Sequence, residues 1–276
     1  MYLIPFFAAI IANLLCFILG LDYFKSNLLV FGSYLVMVIP FVDKKLVESH
    51  WKPLLGFFAF STVTTTILEL IFIHTDTWGF SSQINQMIGV NIFHIPIEEY
   101  IFWEGCPLVV IFTYMFYKKP PTSFPGFSSL SKAVDVELAI LKSAEPSGKA
   151  ISEGEMYVDE IIKDDINGKP SYFRGLKLPV YTFFVTFVIF SIYEMRGYAK
   201  GNYKAIALTA LSFFFVIMPY EQYALIHHVW IYNMQKMSGI AFIGVPLEEW
   251  IVYFTCPTAG CLFMEMFAKK LRNSLT

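Results

Sequence analysis

The sequence predicts an all-α integral membrane protein with about seven transmembrane helices, arranged as an N-terminal helix followed by two repeated three-helix units. Of the 276 residues, 56% are hydrophobic and only 15% are charged, which is typical of membrane proteins. Seven apolar segments approach or exceed the length needed to cross a bilayer. The last three of them follow the preceding three at a displacement of 150 positions, which indicates a duplicated unit.

The first apolar segment lacks a basic N-terminal region, and more apolar sequence follows Ala8-Ala9. We therefore expect a retained span rather than a cleaved signal peptide. Pro40 lies inside the second segment and makes it short. In chain order the segments are 3–20, 27–42, 54–74, 97–117, 178–195, 204–220 and 247–267.

These segments divide the chain into an extra N-terminal helix (1–26), a first half (27–117), a polar linker (118–177) and a second half (178–276). The linker holds nine basic and nine acidic residues together with several Pro and Gly residues. Such a composition favours a solvated connection without chemistry of its own.

An acidic pair begins the last span of each half. Pro96-Ile97-Glu98-Glu99 recurs as Pro246-Leu247-Glu248-Glu249, and a Cys-Pro pair follows both at the same spacing. Proline and acidic residues suit the first turn of a helix, so the pairs could simply cap it. The recurrence of the whole pattern favours a functional site instead, because ionisable groups at membrane depth are costly.

Two further glutamates, Glu69 and Glu221, lie near the ends of the third and sixth spans, 152 positions apart. Aromatic residues accompany the acids in both halves. Trp and Tyr at span ends commonly form an interface belt, but their rings can also stabilise a cation. The candidate substrate-binding residues are Trp78, Tyr100, Trp103, Trp230, Trp250 and Tyr253.

Known cofactor and metal motifs are missing from the sequence. It contains no CxxC, HExxH, GxGxxG or Walker-type pattern, so we predict neither a metal nor a cofactor. The net charge of −2 does not favour a nucleic-acid partner. Buried acids and aromatic rings in lipid, without a redox motif, favour protonation of an alkene in a membrane-dissolved polyene.

The orientation of the halves stays open at this point. Three crossings separate the two acidic pairs, which would place them at opposite membrane faces, as in an inverted repeat. The alternatives are a re-entrant segment or a different number of crossings. Basic residues flank loops on both sides and do not decide the question.

At these motifs the sequence resembles the integral-membrane lycopene cyclases of carotenoid biosynthesis, which consist of two homologous three-helix halves. Their Pro-x-Glu-Glu or Pro-x-Glu-Asp motif matches both acidic pairs. Asp76-Thr77-Trp78-Gly79-Phe80, Val180-Tyr181-Thr182-Phe183 and Ile217-Met218-Pro219-Tyr220 are also similar to the family. The chain departs from it in the polar linker, in the N-terminal position of the extra helix, and in Glu249 where Asp is more common.

The resemblance implies a lycopene β-cyclase, an isomerase of the intramolecular lyase type, that converts linear ψ-ends into β-ionone rings. Our sequence-based hypothesis assigns general acid–base catalysis to Glu98 and Glu248, with Glu99 and Glu249 as partners. It gives Glu69 and Glu221 supporting roles. The expected partners are membrane lipid and a hydrophobic polyene such as lycopene, the expected location is the cell membrane, and a homo-oligomer is left open.

Two other classes compete with this interpretation. A small proton-coupled transporter with repeated three-helix units would also carry acids near the midplane, and it predicts solute uptake without a change in carotenoids. In a non-catalytic membrane scaffold the acids would only cap helices, and Glu→Gln changes would lower stability without altering a product.

Overall fold

The computed structural model describes residues 2–75, 77–80, 90–93, 95–121 and 180–275. Asp76 and nearly all of the predicted linker, from residue 122 on, lie outside the described residues. Five of the described helices are long and apolar enough to cross a membrane, and the predicted fold class is confirmed. The seven α-helices of the described residues are α1 (Ile4–Leu19), α2 (Tyr23–Val38), α3 (Lys44–His74), α4 (Ile97–Lys118), α5 (Val180–Met195), α6 (Tyr203–Ile226) and α7 (Leu247–Leu275).

Glycine and aspartate residues set the limits of the first helices. Gly20 ends α1 with a left-handed backbone conformation, φ 57°, as glycine commonly does at a helix C-terminus. The Asp22 carboxylate accepts a hydrogen bond of 2.8 Å from the backbone N–H of Lys25 and so caps α2. Asp43 caps α3 in the same way. The helix α2 therefore begins four residues before the predicted span.

A two-stranded hairpin precedes each acidic helix, a feature that the sequence analysis did not predict. The tight turns contain Phe93 and Ile243, with φ angles of 53° and 52°. Such angles are the ones that two-residue hairpin turns need. Both hairpins direct the chain straight into the acidic pairs of α4 and α7. The strands are β2 (Asn91–Ile92) with β3 (Ile95–Pro96), and β5 (Ala241–Phe242) with β6 (Val245–Pro246).

The pairing of the remaining two strands shows that an approximate twofold axis relates the two halves. Strand β1 (Trp78–Phe80) pairs antiparallel with β4 (Trp230–Tyr232), and Gly79 lies opposite Ile231. These two residues are equivalent in the repeat, so a symmetric pairing at this point places the axis between them. Glu99 and Glu249 line one small cavity, so both acidic pairs lie at the same end of the bundle, which excludes the alternative of opposite membrane faces.

Helix packing follows the same symmetry. Within the halves, α4 packs against α2 and α3, and α7 packs against α5 and α6. Between the halves, α4 contacts α6 and α7 contacts α3. The additional helix α1 packs against α2 and α6.

The end of the bundle that lies opposite the acidic pairs carries an ion pair. Lys118, at the end of α4, pairs with Glu265 of α7, which also accepts a 2.8 Å hydrogen bond from the Tyr114 hydroxyl. Tyr181, near the start of α5, instead lies at the acidic end, where its ring is 5.4 Å from that of Trp78. The end of α4 and the start of α5 therefore lie at opposite ends of the bundle.

Candidate active site

An apolar cavity of about 450 Å³ lies between α3, α4, α5 and α7. Phenylalanines from α3 and α5 line much of it, and Glu69 is part of its wall. Three of its lining residues, Phe60, Phe187 and Phe190, are 50–59% exposed, so the cavity opens at the side of the bundle. In a membrane this opening faces lipid.

A smaller cavity of about 30 Å³ adjoins the first and contains three carboxyl groups. They belong to Glu99, Glu221 and Glu249, one from each of α4, α6 and α7. The walls of the two cavities share four aromatic residues: Trp78, Phe102, Trp103 and Tyr253. Four buried glutamates and an aromatic partition thus lie at the inner end of an apolar space.

Within the part of the chain that the structure describes, no ion pair neutralises these four glutamates. The described ion pairs involve other acids, and no Lys, Arg or His of the described residues is buried. Buried carboxyl groups without cations must be satisfied by hydrogen bonds or by protons. The hydrogen-bond donors around each glutamate therefore indicate its chemical role.

One hydrogen bond is the same in both halves. The Trp78 indole N–H donates to Glu69 Oε1 at 2.8 Å, and the Trp230 indole N–H donates to Glu221 Oε1 at 2.8 Å. In each half the tryptophan follows its glutamate by nine residues, because the helix ends and the paired strand begins in between. The symmetric strand pairing thus holds two Trp–Glu pairs beside the twofold axis.

The other donors differ between the halves. Glu221 also accepts hydrogen bonds from the hydroxyls of Tyr232, at 2.6 Å, and Tyr253, at 2.7 Å. The equivalent positions in the first half hold Phe80 and Trp103, which have no hydroxyl. Glu69 Oε2 is buried and has no hydrogen-bond partner among the described residues, although the Trp103 indole lies beside it.

Tyrosines also surround the second glutamate of each acidic pair. The Tyr23 hydroxyl donates to Glu99 Oε2 at 2.6 Å, and the hydroxyls of Tyr181, Tyr232 and Tyr253 lie around Glu249. Burial, together with the charges of Glu221 and Glu249, raises the pKa of Tyr232 well above its ordinary value. The Tyr232 hydroxyl therefore stays protonated and acts as a donor.

The first glutamate of each pair is buried but lines neither cavity. Glu248 accepts hydrogen bonds from the backbone N–H and the hydroxyl of Ser238, which lies just before the second hairpin. The backbone carbonyl of Glu98 accepts a 3.1 Å hydrogen bond from the Asn27 amide. These contacts attach the start of α7 to the loop before its hairpin and the start of α4 to α2.

The predicted aromatic residues fall into two groups. Trp78, Trp103 and Tyr253 line the large cavity, and Trp230 lines the small one. Tyr100 and Trp250 line neither. Tyr100 donates to the Ile92 carbonyl at 3.2 Å, and Trp250 packs against Phe214.

Tyr23 and Tyr181 are site residues that were not predicted from the sequence. Both stand at the beginning of a span, where a tyrosine is usually interpreted as part of the interface belt. Comparing the halves position by position could have identified Tyr232 as a donor, since Phe80 replaces it in the other half. Within the described residues no group of three His, Cys, Asp or Glu side chains could hold a metal ion.

Comparison with known proteins identifies the family of the chain. A lycopene cyclase family model matches residues 22–117 and 178–267, more than half of the chain. The chain therefore belongs to the lycopene cyclase family. Comparisons with curated proteins and with solved structures gave no match. The two matched regions correspond to α2–α4 and α5–α7 and leave out α1 and the linker.

Proposed function

We propose that this multi-pass membrane protein is a lycopene β-cyclase of the cell membrane, which cyclises the linear ends of a polyene in a proton-initiated, redox-neutral reaction. Membership of the lycopene cyclase family supports carotenoid cyclisation. The finer assignment rests on one observation. Four buried glutamates, for which the described residues provide no cationic partner, lie at the inner end of an apolar cavity that opens to lipid.

The reaction conserves atoms and electrons. A carboxylic acid transfers its proton to the terminal double bond of the ψ-end, so a C–H bond forms and a carbocation remains. The next double bond attacks this cation, which closes a six-membered ring through a new C–C bond. Loss of a proton from the carbon beside the new cation then leaves the ring double bond. The product is an isomer of the substrate.

Glu69 is the proposed proton donor. It lines the cavity that the polyene would occupy, and its Oε2 atom has no partner among the described residues. The Trp78 indole N–H donates to its other oxygen. A carboxyl group with few donors in an apolar site is suited to hold a proton and to release it to an alkene.

Glu221 is the proposed counter-charge. Three donors on its two oxygens favour the carboxylate form, because hydrogen bonds to an anion stabilise it. A fixed anion beside the small cavity would stabilise the carbocation as it develops. Glu99 and Glu249 share that cavity and are proposed to accept the released proton and to return it to Glu69.

The aromatic partition would stabilise the same cation without reacting with it. Trp78, Phe102 and Trp103 line both cavities and so lie between the three carboxyl groups of the small cavity and the large cavity. Their ring faces carry partial negative charge and attract cations. They also keep water away from the cation, which water would otherwise capture as an alcohol.

This proposal moves the acid–base role within the predicted set of glutamates. The sequence-based hypothesis gave it to Glu98 and Glu248, whereas the cavity geometry favours Glu69, Glu99, Glu221 and Glu249. We propose that Glu98 and Glu248 hold the starts of α4 and α7 in place.

Expression in lycopene-accumulating cells, followed by chromatography of the pigments, tests the proposal. We expect β-rings with the wild-type chain and none with Glu69→Gln, while a Glu98→Gln variant should retain the product. Unchanged lycopene with well-expressed wild-type protein would contradict the β-cyclase assignment. Uptake of a solute that depends on Glu69, with no change in carotenoids, would favour a transporter.

A further inference from the structure

The approximate twofold symmetry creates two equivalent grooves on the sides of the bundle. It exchanges α2 with α5 and α3 with α6, so the groove between α3 and α5 has its counterpart between α6 and α2. Each groove leads toward one of the Trp–Glu pairs. A symmetric protein would therefore have two side openings.

The helix α1 fills one of these grooves. Its small residues Ala8, Ala9 and Ala12 are fully or almost fully buried, which lets the helix approach closely. The Asn13 amide donates to the Val216 carbonyl of α6 at 3.0 Å in a buried position. Aromatic contacts also join α1 to α6. The ring of Phe6 lies 5.6 Å from that of Phe215, and the ring of Phe17 lies 5.3 Å from that of Tyr223.

No helix of the described residues occupies the other groove. The helices α3 and α5 meet near the acidic end, where Phe72 packs 5.0 Å from Tyr181 and 5.9 Å from Phe184. Farther from the acidic end, the exposed rings of Phe60 and Phe187 line the large cavity. This groove is continuous with the space in front of Glu69.

We infer that α1 closes one of two symmetry-related access routes, so that a polyene end reaches the acids from lipid only between α3 and α5. The inference rests on the proposed function and makes it more specific. A chain with one route has one site for a polyene end, although it has two homologous halves. The two ends of a linear polyene then react one after the other, and the half-cyclised product is released before its second end enters.

The access route can be tested by photocrosslinking in polyene-containing membranes. Phe187 lies in the open groove and Phe7 lies on α1, and the two side chains are 59% and 58% exposed, which makes them a matched pair. Each is replaced separately by the photoreactive analogue p-benzoylphenylalanine. After irradiation with lycopene, we expect polyene adducts at position 187 at least about tenfold above those at position 7. Equal labelling, or labelling at position 7 alone, would overturn the inference.

A blocking variant provides a second readout. Ser61→Trp fills the groove, because Ser61 lines the large cavity, whereas Leu14→Trp adds the same bulk to the exposed face of α1. We expect Ser61→Trp to lower the rate of cyclisation at least about tenfold and Leu14→Trp to leave it near wild type. Equal rates for the two variants would contradict a route between α3 and α5.

Release between the two ends is tested with isotope-labelled lycopene. If the half-cyclised product leaves the protein, labelled monocyclic carotenoid should appear early in the reaction, and an excess of unlabelled monocyclic carotenoid should raise the ratio of labelled monocyclic to labelled bicyclic product. Label that passes into the bicyclic product alone, with no labelled monocyclic carotenoid even when the unlabelled compound is in excess, would show that both ends react without release. Each of these outcomes is distinct from failure of the proposed function, in which the wild-type chain forms no cyclic pigment at all.

Discussion

The two halves of this protein share a backbone plan but surround their membrane glutamates differently. Each half places a glutamate and a tryptophan beside the twofold axis with the same 2.8 Å hydrogen bond. The second half adds two tyrosine hydroxyls, from Tyr232 and Tyr253, where the first half has Phe80 and Trp103. Two equivalent acids thus have unequal sets of hydrogen-bond donors, and on the proposed mechanism this difference gives them unequal chemical roles.

A second difference lies outside the repeat. The helix α1 covers the flank formed by α2 and α6, while the equivalent flank formed by α3 and α5 contains the large cavity. The acid with fewer donors, Glu69, faces the open flank. The proposed proton donor and the proposed substrate access route therefore lie on the same side of the molecule.

Removing the acid of the first half should have the largest effect. We expect Glu69→Gln to lower the rate of cyclisation by about 10²–10⁴-fold, the usual contribution of a general acid, because an amide cannot supply the proton. The rate is measured as cyclic pigment formed per unit of protein in isolated membranes. Glu48→Gln, which changes an exposed glutamate, is the control, and equal rates for the two variants would contradict the assignment.

The equivalent change in the second half should cost less. Glu221→Gln keeps the shape of the side chain but removes the negative charge that three donors hold. Since hydrogen bonds to charged groups contribute about 1.5–3 kcal/mol, we expect a loss of about 10–100-fold in rate and a lower melting temperature. A larger loss for Glu221→Gln than for Glu69→Gln would reverse the roles of the halves.

Exchanging the distinguishing side chains should reduce the difference between the halves. Tyr232→Phe removes one donor from Glu221 and should lower the rate about tenfold, as expected for a lost charged hydrogen bond. Phe80→Tyr introduces a hydroxyl at the equivalent position near Glu69 and should lower the rate a few-fold by favouring the carboxylate. The exposed Tyr203 provides the control Tyr203→Phe, and a rate increase with Phe80→Tyr would contradict this reasoning.

The smallest effect on the rate is expected at the first glutamate of the second pair. Glu248→Gln weakens the hydrogen bonds from Ser238 and should lower the free energy of unfolding by about 1–3 kcal/mol. The rate per folded molecule should change less than threefold. Thermal unfolding in detergent measures the first quantity and pigment chromatography the second. A loss of rate as large as that of Glu69→Gln would restore the sequence-based assignment.

The helices were predictable because hydrophobicity along a membrane span is a local property. The predicted spans 97–117 and 204–220 correspond to α4 and α6 to within a few residues, apart from one additional turn and a half at the end of α6. The short hairpins were missed because strands of two residues carry no periodic pattern. The β1–β4 pairing joins residues about 150 positions apart, and no local signal predicts such a contact.

The acidic pairs show why residue roles were harder to predict. Successive residues on an α-helix point about 100° apart, so Glu98 and Glu99 cannot face the same surroundings. The sequence showed that both are acidic and at the start of a span, but not which one faces a cavity. Tertiary packing turns Glu99 and Glu249 toward the small cavity and leaves Glu248 against the loop before its hairpin.

The sequence by itself determined the membrane class, the repeat, the two acidic pairs and the resemblance to lycopene cyclases, because these depend on composition and spacing. Only the tertiary structure decided that both pairs lie at one end, that four particular glutamates meet, and that one flank is closed by α1. The physical reason is that burial and hydrogen bonding at this site join residues from both halves and from the additional helix. The environment of each carboxyl group is therefore a property of the packed bundle rather than of any one segment.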